Sequence, residues 1–170
     1  MSSSLSVISN LALLIPAVES RTTNYDEIYS EHCHRIYSLA FWMTDNELAA
    51  EQLSCNVFLR AFATSDSPRT EQIDLAFLAE IREMITIGTL TLNNTVSAET
   101  KSVYGNVKRV HLERAIVELP ATEKLIFLLH DVESYGHEKI SRLLGMTVQE
   151  SQSGLHQARL QMRELISRMQ

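Results

Sequence analysis

The chain has 170 residues, 45% of them hydrophobic, and a net charge of −6, enough apolar material for one sizeable core or two small ones. Two cysteines, Cys33 and Cys55, make no disulfide framework and no CxxC pair, which fits a reducing cytoplasm. No run is long enough to span a membrane, and the apolar run Leu11 to Ile15 is too short, with no basic leader, for a secretory signal.

The charge is uneven. Residues 1–91 hold 5 Lys/Arg against 12 Asp/Glu, a balance of −7, while residues 121–170 hold 6 of each. An acidic front half repels nucleic acid and suits a basic protein partner.

Gly and Pro are scarce and apolar residues recur at three and four, which predicts an all-α chain. The Ser-rich opening, residues 1–22, reads as a flexible tail. A first helix is expected from Asn24, with Glu27 completing a capping box and Tyr25, Ile28, Tyr29, His32, Ile36, Leu39, Ala40 and Met43 as its stripe. Asp45 is the expected cap of a second helix, whose apolar stripe is Leu48, Leu53, Val57, Phe58, Ala61 and Phe62 and which stops at Ser65-Asp66-Ser67-Pro68. A third helix is expected from about Glu71 to Ile87, with Ile73, Phe77, Leu78, Ile81, Met84 and Ile85 inward and Gly88 at its end. Residues 90–106, rich in Thr, Asn and Ser, read as a polar linker. A fourth helix is expected from Val107 to Leu119. Pro120 breaks it where the next helix, Glu123 to Val132, begins.

The last fifty residues are the most specific. His137 to Leu144 is amphipathic, and Gly145 stands where a helix end wants a left-handed residue. Thr147 with Glu150 is a capping-box pattern, opening a helix with Val148, Ser151, Leu155, Ala158, Met162, Leu165 and Met169 at heptad spacing. Helix, Gly turn and longer helix make a helix-turn-helix, a duplex-reading motif. Between Thr147 and Ala158 the only formal charge is Glu150, so the usual phosphate-neutralising cations are sparse.

Leu119-Pro120-Ala121-Thr122-Glu123, the run Phe127 to Glu133, Ile140, Leu143-Leu144-Gly145 and Leu155 to Arg159 closely resemble the C-terminal domain of bacterial sigma factors of the extracytoplasmic-function type. Ile36 to Ala40, Ala50-Glu51, Leu53 and Val57 to Phe62 are similar to the N-terminal domain of that family. The resemblance implies two small helical domains: a three-helix region-two-like unit at 23–89 and a four-helix helix-turn-helix unit at 107–170. It implies that Glu51, Gln52, Cys55, Asn56, Phe58 and Leu59 face the RNA polymerase core. Thr147, Gln149, Ser151, Gln152, Ser153, His156, Arg159 and Arg163 would face promoter DNA. An anti-sigma factor is an implied partner. No cofactor, membrane or small-molecule substrate is implied.

The chain departs from the family at several positions. Gln52, Cys55 and Asn56 replace more polar or acidic docking residues, and the stretch Phe77 to Thr86 carries only one cation, Arg82. Gln152, Gly154 and Gln157 stand where cations are usual. Losing three phosphate contacts would flatten the salt slope of DNA binding by about 2.7, at roughly 0.9 per contact. Gly154, taken as exposed, would weaken its helix by about 1 kcal/mol relative to Ala. A different reading of the same departures is a sigma-like interaction protein that binds a regulator and no longer starts transcription. A third is a DNA-binding regulator that uses its C-terminal domain alone.

Catalysis finds no support. His32-Cys33-His34 cannot converge on one ion, because adjacent helical residues diverge by about 100°. His130 and Asp131 resemble an acid-base pair but are expected to face apart. No Gly-rich phosphate loop and no nucleophile beside a base is present.

Overall fold

The computed structural model describes residues 5–88, 90 and 107–169, with the backbone alone for 5–23. Its helices are α1 (Leu5–Thr44), α2 (Glu47–Thr64), α3 (Thr70–Met84), α4 (Arg109–Glu118), α5 (Ala121–Phe127), α6 (His137–Leu144) and α7 (Val148–Met169). α5 runs on into one wide π-type turn, Leu128–Val132. No strand occurs among the described residues. The expected linker lies outside them except for Leu90.

The local signals mostly fall where the residue chemistry puts them, with shifts that have physical reasons. α1 starts well before Asn24, so Asn24 caps nothing; its side-chain amide instead donates to the Asp66 carbonyl at 2.7 Å, tying α1 to the loop after α2. The cap of α2 is Asn46, whose Oδ1 accepts from the Ala49 amide at 2.9 Å. Asp45, the expected cap, takes a left-handed φ of 50° at the bend between α1 and α2, a conformation Asp tolerates better than most residues. α3 starts when the Gln72 side chain accepts from the Arg69 amide at 2.8 Å, and it stops short of Ile87 because Ile85 turns extended. Met84, expected inward, is half exposed. Pro120 precedes α5 in extended backbone, and the buried Lys124 donates to the Val117 carbonyl at 2.6 Å, covering the open end of α4.

Packing departs from two independent cores. Ile36, Leu39 and Met43 of α1, Leu53, Val57 and Phe58 of α2 and Ile73, Phe77, Leu78 and Ile81 of α3 form one cluster. That same cluster continues through Leu125, Ile126, Leu129, Ile140, Leu143, Leu144 and Leu155 of the C-terminal half. A smaller cluster of Ala115, Leu119, Ala158, Met162 and Ile166 fastens α4 to the far end of α7. Ile166, rather than Leu165 or Met169, takes the last inward position. An unsupercoiled helix drifts away from a strict seven-residue stripe, and the buried set 151, 155, 158, 162, 166 follows the 3.6 period.

Gly154 is buried, contrary to expectation. A Cβ there would lie 2.6 Å from Ile126 Cδ1 and 2.9 Å from Leu90 Cδ2, so α7 passes close to α5 because this residue has no side chain. Gly154→Ala should therefore not recover the full ~1 kcal/mol of helix propensity, because the Ile126 and Leu90 methyls must move aside for the new Cβ. Urea unfolding measures this, and a clear stabilisation would contradict the close contact.

Candidate nucleic-acid interface

The turn between α6 and α7 is built by two complementary ends. Gly145 sits at φ 72° and ψ 34°, and the amides of Gly145 and Met146 donate to the Ser141 carbonyl at 2.9 and 3.0 Å. Two residues later the Thr147 amide donates to Glu150 Oε2 at 2.7 Å, and the Glu150 amide donates to Thr147 Oγ1 at 3.1 Å. This reciprocal box satisfies amides at the start of α7 and fixes its direction away from α6. The Thr147 amide, and then the Thr147 hydroxyl donating to the same oxygen at 2.8 Å, hold the Glu150 carboxyl below its ordinary pKa.

The turn splits α7 into two faces. Ser151, Gly154, Leu155, Ala158, Met162 and Ile166 face the core. Thr147, Gln149, Gln152, Ser153, His156, Arg159 and Arg163 are exposed along the other side. Seven of the eight residues expected to face DNA thus share one open face. Ser151 does not: it is fully buried, and its hydroxyl bonds His137 Nδ1 at 2.9 Å. Its assignment as a base-reading residue is corrected, since burial leaves no route to a groove. Gly154 is withdrawn from the outer face for the same reason, so it is not a site of a lost cation. Gln157 is half buried, and its Oε1 has no partner.

Arg159 is exposed but committed. Its Nε and Nη2 donate to both oxygens of Asp131 at 3.1 and 2.6 Å, a two-pronged pair. His130 Nδ1 meets Asp131 Oδ1 at 2.7 Å, so these neighbours do converge; the wide turn at the end of α5 brings them round. Burial pushes the Asp131 carboxyl up, and the bonds from Arg159 and His130 outweigh that and hold it below the usual carboxylate value. The His130 ring stacks on His137 at 4.6 Å. Arg142, exposed on α6, is a cation beside the motif that pattern reading passed over. Its place on the first helix, which crosses the duplex backbone in such motifs, was the available signal.

On α2, Glu51, Gln52, Cys55 and Leu59 share an exposed face, and Asn56 is half buried beside them. Leu48, expected on the apolar stripe with Leu53 and Val57, is instead 73% exposed, and it extends this outer face to a stripe at i, i+4, i+7 and i+11. Phe58 is corrected: it is 1% exposed, with its ring edge-on to Tyr29 at 4.9 Å, and it supports the face from beneath. His32 is buried and His34 exposed, so they point apart. Among the described residues no three His, Cys, Asp or Glu side chains are placed to hold a metal ion, and no helix is long and apolar enough to cross a membrane.

Residues 109–162 match the family model for sigma-70, region 4. The chain is 26% identical over 160 residues to the ECF RNA polymerase sigma factor SigE of Mycolicibacterium smegmatis, covering 85% of this chain and 62% of that protein. The chain thus spans less than two thirds of the length of that relative. It also resembles the sigma factor RpoE from Bartonella quintana, solved in complex with the anti-sigma factor NepR. The TM-score is 0.59 at 15% identity, over 84% of this chain and 96% of that one, a likeness of fold. Both sequence matches are to sigma factors, one within the helix-turn-helix half and one across most of the chain.

His137 gives a pH test of the turn. Burial, then His130, then Arg159 lower its pKa below the ordinary 6.5. The folded state therefore binds fewer protons than the unfolded chain, and the stability linked to neutral His137 is present above 6.5 and lost as pH falls through the lowered value. The melting temperature should fall between neutral pH and pH ~5, and His137→Gln should flatten part of that limb. His32, lowered by burial and then by Arg35, adds to the limb, and Glu133, whose carboxyl burial pushes up, opposes it at the acid end. An unchanged limb in His137→Gln would contradict the His137–Ser151 contact as a neutral hydrogen bond.

Proposed function

We propose that this chain works as an alternative sigma factor, with residues 23–89 docking on core RNA polymerase and residues 107–170 reading a promoter duplex. One observation carries the reading. The segment that matches sigma-70 region 4 folds as a helix-turn-helix whose second helix is buried on one face and open and polar on the other. A B-DNA major groove about 12 Å wide admits such a helix. Gln149, Gln152 and Ser153 are then the base-edge readers, and Arg142 and Arg163 the backbone contacts. Arg159 can join them only by leaving Asp131. The α2 stripe of Leu48, Gln52, Cys55 and Leu59, flanked by Glu51, is the docking face for the polymerase. An anti-sigma factor is the expected regulator. The chain needs no cofactor and performs no catalysis, since the polymerase makes the bonds, and it works in the cytoplasm with that enzyme.

The test is direct. Core polymerase should retain the full chain at low salt, and the complex should give run-off transcripts from a cognate promoter. Absence of both would overturn the proposal. Within the complex, Gln152→Ala should cost about 1–3 kcal/mol at one base pair and relax the preference there, whereas Arg163→Ala should weaken all sequences alike. Asp131→Asn should release Arg159 and steepen the salt slope by about 0.9. Equal effects of the Gln152 and Arg163 variants on every sequence would contradict the division of roles.

A further inference from the structure

Permanent cations are sparse on the reading face, but a cluster of titratable groups lies beside it. The wide turn after α5 carries His130 and Asp131, α6 opens with His137, and α7 contributes Arg159. The two imidazole rings stack at 4.6 Å, 26° from parallel. His130 Nδ1 lies 2.7 Å from Asp131 Oδ1, and the same carboxylate accepts from Nε and Nη2 of Arg159 at 3.1 and 2.6 Å. All four side chains belong to the C-terminal half, and each keeps part of its surface in solvent. Arg159 continues the outer stripe of α7. Gln152, His156, Arg159 and Arg163 follow at i, i+4, i+7 and i+11, and all four are exposed. A duplex lying along that stripe has its phosphates on the flank where the cluster sits.

With both imidazoles neutral the cluster has no net charge, one guanidinium against one carboxylate. The Asp131 side chain is only 24% exposed. Drawing Arg159 off to a phosphate then removes two of the three bonds that this carboxylate accepts among the described residues, which is costly. A proton on the His130 ring changes the balance. The carboxylate keeps a charged partner, Arg159 leaves at lower cost, and the cluster becomes cationic. A second proton, on His137, meets a like charge across the 4.6 Å stack. Burial, then His130, then Arg159 hold the His137 pKa below 6.5, against a smaller pull from Asp131. From α7, Ser151 presents a hydroxyl to His137 at 2.9 Å, and exposed His156 titrates on its own one turn before Arg159. An anion beside the stack relieves the repulsion between its rings. A phosphodiester suits, because it stays anionic across the whole range in which imidazoles titrate.

We propose that His130, His137 and Arg159 form a proton-linked phosphodiester site on the flank of the helix-turn-helix, with Asp131 as the positioning residue that holds Arg159 until the imidazoles charge. The inference rests on the reading of α7 as a duplex-binding helix and deepens it. An anion that binds the protonated cluster more tightly raises the cluster's proton affinity by the same factor. Duplex binding therefore takes up protons, and affinity rises as pH falls through the imidazole range. Stability of the free chain moves the other way, since His137 is held neutral there. The site supplies, under mild acid, charge that the segment from Thr147 to Ala158 lacks, where Glu150 is the only formal charge.

The full chain and its double variant His130→Gln with His137→Gln test this, by fluorescence anisotropy on a cognate promoter duplex with core polymerase present. Between pH 7.5 and pH 6.0 the wild type should gain affinity about fivefold or more, and its salt slope should steepen by about 0.9, one added phosphate contact. The double variant should lose most of both changes; any share from His156 remains in it. A wild type with no gain, or a double variant with the same gain and the same steepening, overturns the site. If the double variant loses helical circular dichroism, His130→Gln alone decides, with the same two readouts. If the wild type binds no duplex at either pH, the DNA reading fails, and nuclear magnetic resonance of the Arg159 Nε–H group decides the site. Inorganic phosphate at pH 6.0 should then shift that resonance in the wild type more than in the variant, and an equal response would overturn the proposal.

Discussion

A carboxylate removed from water must be compensated by charge and hydrogen bonds, and Asp74 draws that compensation from both ends of the chain. Arg35 alone would leave one oxygen bare; Tyr135 and Lys139 cover it from the C-terminal half. Burial, the bond to Asp74 and its charge all raise the Tyr135 pKa, so the hydroxyl stays a proton donor at any physiological pH. Burial lowers the pKa of Arg35, and Asp74 more than restores it, so the guanidinium stays charged. The price of this network shows in Arg35 itself, whose Nε and Nη2 are buried without partners. Buried pairs of this kind add little raw stability, but removing one partner leaves the other charge uncompensated.

Around that joint the apolar stripes of α3, α5 and α6 merge into a single cluster, and the outer faces of α2 and α7 stay open. The two faces differ in chemistry. α2 offers Leu48, Cys55 and Leu59 between polar residues, suited to a protein partner. α7 offers Gln, Ser, Thr and His with few cations, suited to hydrogen-bonded reading with weak electrostatic pull. A reader with so little positive charge gains affinity from being tethered to a larger complex, because tethering raises its effective concentration at the duplex.

What the amino-acid pattern revealed divides by range. The helix-turn-helix was legible because its signals are local: Gly145 needs only its own φ, and Thr147 with Glu150 needs one turn. The α2 cap missed by one residue because Asp45 and Asn46 are both good caps and only the bend decides between them. Spacing put Ser151 on the stripe with Leu155 and Ala158, and only the family resemblance gave it to DNA; Gly154 was placed outside because glycine gives no hydrophobic signal, and its burial depends on Ile126 and Leu90. Phe58 was assigned to docking by its place in a motif, although its size makes it core. The Asp74 network was illegible because bonded members such as Arg35 and Tyr135 lie 100 residues apart and polar groups leave no periodic signal.

The account turns on Asp74 being held from both halves of the chain. A double-mutant cycle of Asp74→Asn and Tyr135→Phe, followed by urea unfolding, measures that joint most directly. Each single variant should lose stability, and the double variant should lose less than the sum, by about 0.5 kcal/mol or more. Losses that simply add would contradict the account.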